Sequence, residues 1–225
     1  MMTISNSPDR AIPRALSGCE LLLGAFIVLG HNVFRIVPNE VLILVPLGLV
    51  SIRLRDARWR AMGFSRPSSW TRIFVIALAA ATLRIVLGQF VIEPMAGHFW
   101  PAPVAPSLAS EITGNAKNAL LALLIVWTFA AFGEEIAYRG YLLTRAADIG
   151  NRSTAAYWIA VVVVSILFGY GHYYKGPTGI IDSAVAGLIL GTAYMLGGRN
   201  LWASICAHGF IDTFGVTDAY FGWSS

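Results

Sequence analysis

The sequence predicts an all-α protein, a polytopic transmembrane helix bundle of about seven spans (six to eight). Three observations predict it. Only 12% of the 225 residues are charged, and 56% are hydrophobic, where a soluble domain carries roughly a quarter charged residues. The mean hydropathy is +0.66. The apolar residues come in blocks of about 15 to 23, long enough to cross the hydrocarbon core of a bilayer as helices, rather than alternating or forming sparse stripes. No soluble domain of ordinary size can be cut from the remainder, so residues 1–225 read as a single integral membrane domain.

The first span is expected over about Ala15–Phe34, after a polar start that ends at Arg14. It lacks a small-residue cleavage pattern and reads as a retained span, not a signal peptide. A short second span covers about Val41–Ile52, and a third about Trp70–Ile92. The segment Glu93–Asn118, with Pro94, Pro101, Pro103 and Pro106, reads as the longest loop, with room for an interfacial turn. A fourth span starts near Ala119 and runs through Phe132 into a polar patch. The last three cover about Ala155–Tyr170, Gly179–Leu196 and Leu201–Gly215. Ser183, Gly187 and Gly191 stand at four-residue steps in the sixth, a spacing that lets two helices approach closely, so that span is expected at the centre of the bundle.

Basic residues assign the two faces. Arg10, Arg14, Arg53, Arg55, Arg58, Arg60, Arg66, Arg72, Arg145, Arg152 and Arg199 flank one side, and Arg35, Lys117 and Lys175 the other. Eleven against three puts the N-terminus and the Arg-rich loops in the cytoplasm, and the C-terminus outside. The net charge of +4 therefore reports topology, and no stretch of bases interleaved with exposed aromatics points to nucleic acid. Cys19 and Cys206 sit in apolar spans without metal-type spacing and read as packing residues. The expected partners are membrane lipid and a peptide or protein substrate; oligomeric state is not legible.

Ionisable groups inside spans cost a few kcal/mol each by insertion scales and normally face a cavity with partners. Most of them cluster late in this chain: Glu134, Glu135 and Arg139; His172 after Phe168; His208 and Asp212. Glu135 and Arg139 are four apart and can pair on one helix face. Glu134 is rotated by roughly 100° from its neighbour and is free to point elsewhere. His208 and Asp212 again share a face. Singly, each has a structural explanation: an ion pair, an interfacial histidine, a packing hydrogen bond. Together they read as a hydrolytic site assembled from three helices. Elsewhere His31 falls near the outer end of the first span, His98 in the long loop, Arg84 mid-span with a partner expected but unidentified, and Glu20 where it can reach the interface.

Glu134-Glu135-x-x-x-Arg139, Phe168-x-x-x-His172 and His208-x-x-x-Asp212, in that order and with Leu201-Trp202 before the last, resemble the three motifs of the CAAX-prenyl-protease and bacteriocin-processing (CPBP) family of intramembrane proteases. The resemblance covers residues 119–215, the motif-bearing core. It implies catalytic roles for Glu134, His172, His208 and Asp212, with Glu134 and His172 activating water and Glu135, Arg139 and Phe168 supporting. It also implies access from the cytoplasm. Asp212 departs from the many relatives with Asn there. An Asn amide donates to an oxyanion and an ionised Asp does not, so Asp212 is expected to orient His208 or to ligate a metal.

A peptide hydrolase needs a water, a base and donors for the tetrahedral oxyanion. There is no His-Glu-x-x-His helix and no Gly-x-Ser-x-Gly elbow. Two arrangements stay open: Glu134 as base without a cofactor, or Zn²⁺ on His172, His208 and Asp212 with Glu134 still the base. Two non-enzymatic alternatives also stand, a membrane scaffold or immunity-type binding protein, and a transporter, which would more often show two similar halves with broken helices. By helix rise, Glu134 lies roughly 21 Å from the turn at Asp148, His172 roughly 28 Å from Ser153 and His208 roughly 12 Å from Asn200. They meet at one depth if the Arg139–Ser153 hairpin extends beyond the bilayer.

Overall fold

The computed structural model describes residues 13–100 and 108–223, and no strand occurs among them. Arg10, Pro101, Pro103 and Pro106 lie outside the described residues. Helix α1 spans Arg14–Asn32, α2 Glu40–Asp56 and α3 Trp70–Leu87; a π-turn at Gly88–Ile92 carries α3 into α4, Glu93–Phe99. A short α5 (Leu108–Ile112) precedes α6 (Ala116–Ile125), which continues through π-helical Val126–Glu134 and Ile136–Leu142 into α7 (Leu143–Ile149). Then come α8 (Thr154–Tyr170), α9 (Gly176–Leu196) and α10 (Leu201–Phe221). Four runs, Arg14–Asn32, Trp70–Phe99, Ala116–Ile149 and Tyr173–Leu196, are long and apolar enough to cross a membrane, and Thr154–Tyr170 is a shorter apolar helix.

Helices α2, α3, α6, α8 and α10 start where the sequence offers an oxygen to their free N–H groups, whereas α1 and α9 have no side-chain cap. Asn39 accepts from Val41 and Leu42, Ser69 from Arg72, Asn115 from Asn118, Ser153 from Ala156 and Asn200 from Trp202. The expected long loop is largely helical instead, because the apolar pattern carries the third helix on through Pro94 at a tolerated early position. The fourth helix is 34 residues long, about 50 Å at 1.5 Å per residue, well beyond a hydrocarbon core of about 30 Å.

Small residues set the centre. A Cβ on Gly187 would lie 2.9 Å from the Ser165 Cα, and one on Gly191 2.7 Å from the Val161 side chain, so α9 lies almost backbone to backbone on α8. Gly63 is the turn glycine that matters. Its φ of +88° suits glycine, and its carbonyl accepts from Leu201 N at 3.0 Å, docking the Arg-rich loop on the α9–α10 turn. The N-terminus of α3 reaches the same turn, since Arg72 donates to the Leu196 carbonyl at 2.9 Å. Hence α3 and α9 run antiparallel, and Lys175 lies at the opposite end of the bundle from Arg72.

The Arg face is more than a solvated rim. Arg145, fully buried, donates to Glu20 (2.9 Å), Asp56 (3.0 Å), Asp148 (3.0 Å) and Ser51 (2.9 Å). Arg55 holds Glu20 at 2.6 Å, and Arg152 bridges Asp56 and Asp148. Three arginines and three carboxylates thus balance, tying α1, α2 and α7 together. This corrects the sequence reading at Glu20, Arg55 and Arg145, which lie in helices and pair with one another rather than reaching the interface or a loop. Cys19 is exposed, so it packs against no core; Cys206 is buried.

Removing one partner of a buried ionic network costs about 3–5 kcal/mol. Arg145→Met should therefore lower the thermal unfolding midpoint of the detergent-solubilised protein and its accumulation in membranes. Arg53→Ala, on an exposed side chain, should change stability by less than about 0.5 kcal/mol. Equal melting of the two variants would contradict a structural role for the network.

Candidate active site

Four helices meet at the polar cluster. From the π-helical stretch of the fourth helical run, Glu135 and Arg139 project into the core, with 0% and 1% exposure. Their pairing at four residues' distance is realised, Arg139 NH1 to Glu135 Oε1 being 2.7 Å. The second Arg139 donor, NH2, reaches the Gly187 carbonyl of α9 at 3.2 Å. The guanidinium lies over the Phe168 ring of α8, 4.4 Å from its centroid, a cation–π contact that suits a desolvated arginine. His208 of α10 completes the set, with Nδ1 2.9 Å from the same Glu135 Oε1. A carboxylate only accepts, so Nδ1 carries the hydrogen.

His172 follows α8 at its inner corner. Its Nδ1 lies 3.0 Å from the Phe168 carbonyl, which can only accept, so Nδ1 is protonated and Nε2 is the accepting nitrogen of the neutral ring. The Phe168 ring stands between the two histidines, 4.9 Å from His172 and 6.2 Å from His208. On the other side of His208, Nε2 faces Asp212 Oδ2 at 3.5 Å, too long for a good hydrogen bond. Asp212 is partly open and lines a cavity of about 470 Å³.

Glu134 is set apart from its neighbour. Oε2 is buried without a hydrogen-bond partner in both residues. The difference lies in the other oxygen, since Glu135 Oε1 is held by Arg139 and His208, while His208, Asp212, Glu135 and Glu40 act on Glu134 only through their charge. Two adjacent carboxylates therefore have opposite circumstances: Glu135 is fixed by two cationic or donor groups, and Glu134 is left available.

The sequence reading missed Glu40. It is 7% exposed, lies 3.4 Å from His31 Nε2, and faces the corner before His172, where a side chain on Gly171 would come 2.8 Å from the Tyr138 hydroxyl and 3.8 Å from Glu40 Oε1. Following Asn39 at a helix start, Glu40 reads as an ordinary first-turn acid, and no local signal separates it from one. Arg84 finds its partner in Asp182 of α9, a charge inside the sixth span that the sequence reading also passed over.

A zinc ion would need three donors turned towards one point. Among the described residues no group of three His, Cys, Asp or Glu side chains is so arranged. His172 and His208 each have Nδ1 on a protein oxygen, which leaves Nε2 as the nitrogen able to bind, but the expected set of His172, His208 and Asp212 is not gathered as a group of three ligands.

The fold and this cluster define a class: a helical membrane protein holding a carboxylate–arginine–histidine site between its later helices. Residues 116–214 match the sequence model of the Rce1-like family, type II CAAX prenyl endopeptidases, in agreement with the CPBP resemblance of the three motifs. The match spans α6 to α10 and leaves α1 to α5 outside. No curated protein and no solved structure matches the chain.

Arg139→Met should strand Glu135 and lower abundance, by a destabilisation of about 3–5 kcal/mol. The double variant Arg139→Met/Glu135→Leu should recover much of that abundance, because a well-packed apolar pair avoids the desolvation cost of the ions. Quantitative blotting of membranes against a co-expressed standard reads both, and a double variant no more abundant than the single would refute the pairing energetics.

Proposed function

We propose that the chain is an intramembrane endopeptidase of the CAAX type, cutting a peptide bond of a membrane-associated substrate with Glu134 as the base that activates water. The observation that carries this reading is the unequal pair: Glu135 has its Oε1 locked by both Arg139 and His208, and Glu134 beside it is buried with no arginine or histidine bonded to it. In the mechanism Glu134 takes a proton from a water whose oxygen attacks the scissile carbonyl. His172 helps to hold that water through Nε2. With Nδ1–H committed to Glu135, His208 donates to the oxyanion through Nε2 when the ring carries its second proton. Glu135 orients that ring through Nδ1, and the Asp212 carboxylate 3.5 Å from Nε2 favours its second proton by charge. Collapse of the tetrahedral intermediate breaks the C–N bond, and Glu134 returns its proton to the leaving amine.

This chemistry is proposed without a metal, since no three His, Cys, Asp or Glu side chains among the described residues are gathered as a ligand set. Prenylated C-terminal tails are the substrates named by the family match, and leader peptides or other membrane-bound peptides are served by the same site. A scaffold that binds without cutting is the rival reading; it requires function to survive the loss of Glu134.

Glu134→Ala and His172→Ala should each reduce cleavage at least 100-fold, on the order expected for a lost acid–base group, while the protein still accumulates. Comparing cleavage products in membranes of wild type and Glu134→Ala is the test, and full biological activity of Glu134→Ala would replace the enzyme by the scaffold. Activity should also persist after chelator treatment; its loss, restored by added Zn²⁺, would reinstate the metal.

The Arg bias supports a cytoplasmic N-terminus and Arg-rich loop. In a background without Cys19 and Cys206, Lys175→Cys should react with an impermeant maleimide added to intact cells and Ser68→Cys should not. The reverse pattern would invert the topology.

A further inference from the structure

Asp212 shares its 470 Å³ cavity with Arg84, Gln89, Glu93, Asp218 and Phe214, among others. The cavity is thus walled by α3, its π-turn and α4 on one side and by α10 on the other, and it meets the proposed catalytic cluster at Asp212, four residues from His208 on the same helix. Arg84 and Asp212 lie at similar depth, roughly 21 Å from Trp70 and roughly 18 Å from Asn200 along helices that start on the same face.

Arg84 has the features of a binding group rather than of a closed ion pair. Its NH2 is held by Asp182, which keeps the charge compensated inside the membrane. The pair is joined through one nitrogen and one oxygen only, which leaves Arg84 Nε and Asp182 Oδ1 both buried with no partner. The guanidinium rests against the Cα of Gly88, where a Cβ would collide with it, and Gly88 opens the π-turn, a deformation found disproportionately at functional sites. A donor left unpaired in a buried setting is costly unless something accepts from it.

We propose that this cavity is the cleft for the substrate peptide and that Arg84 is its positioning residue, donating to an oxygen acceptor of the peptide on one side of the scissile bond; the assignment rests on the endopeptidase reading. Two sources offer that oxygen: an internal amide carbonyl or the terminal carboxylate. Asp182 already neutralises Arg84, and Glu93, Asp212 and Asp218 share the walls, so the neutral carbonyl is the better electrostatic fit.

The test separates binding from cutting. In the full-length protein carrying Glu134→Gln, the affinity of a fluorescent peptide ending in an S-farnesylated CAAX sequence is measured in detergent micelles, once as the free acid and once as the amide. Arg84→Met/Asp182→Leu, which replaces the pair by apolar groups, should weaken binding at least tenfold, and Arg84→Lys, which keeps the charge for Asp182 but loses Nε and the planar fork, should weaken it several-fold. Equal loss for acid and amide assigns the carbonyl, and loss confined to the free acid assigns the carboxylate; both support the proposal. No saturable binding to the parent, or binding that neither substitution weakens, overturns it. A purely structural pair would let the apolar double variant bind as the parent does. Failure of the endopeptidase reading shows separately, as membranes of the wild type that contain no cleavage product missing from those of Glu134→Ala.

Discussion

A guanidinium removed from water has to be met on every side, and the surroundings of Arg139 show what that demand imposes. Its two terminal nitrogens are taken by Glu135 and by the Gly187 carbonyl, and its face by the Phe168 ring. Those three partners come from three helices, so the arginine fixes their mutual spacing. The desolvation cost of such a charge runs to several kcal/mol, and no one contact repays it. The close approach of α9 to α8 at Gly187 has a chemical as well as a packing consequence, because it delivers the carbonyl that completes the arginine's coordination. Through Glu135 the same interaction reaches His208 and fixes the hydrogen on its Nδ1. A change at Gly187, on a helix with no proposed catalytic side chain, therefore propagates to the histidine two contacts away.

The same arrangement divides labour between two neighbouring carboxylates. Residues adjacent in a helix point in different directions, so a single arginine can satisfy only one of Glu134 and Glu135. The pair sits where two π-helical stretches meet, at Glu134 and Ile136. Such wider turns rarely persist in helices unless the surroundings enforce them, and here the enforcing contacts are those of Arg139. A carboxylate fixed by Arg139 and His208 beside one that is not is the asymmetry that the proposed general base chemistry uses.

Much of this was legible in the sequence for a physical reason. Helical spacing turns four-residue separations into contacts, so Glu135–Arg139 and His208–Asp212 could be paired without coordinates. Charge density inside apolar blocks marked the later helices as those that bring Glu135, Arg139 and His208 together, and the small residues of the sixth span marked its close packing. Long-range partners were not legible. Nothing local indicates that Asp182 meets Arg84 across 98 positions, that Glu20 and Arg145 close an ionic network, or that Glu40 turns in from a helix start towards Gly171. Hydropathy also misplaced a boundary, because a proline-bearing stretch reads as loop although Pro94 lies where a helix turn tolerates it.

On the proposed reading the chain splits its work between a matched and an unmatched segment. The matched segment, residues 116–214, contains every group placed around Glu135. The unmatched segment supplies the opposite walls: Arg84, Gln89 and Glu93 on the cavity that Asp212 opens into, and Glu40 at the corner before His172. Bond-breaking chemistry is the same for any peptide, so the residues that perform it are closely constrained by geometry. The walls that hold a particular peptide are constrained only by what that peptide presents. An apolar helix can meet that second demand with a single buried arginine and a glycine beside it, which leaves its sequence recognisable as little more than hydrophobic.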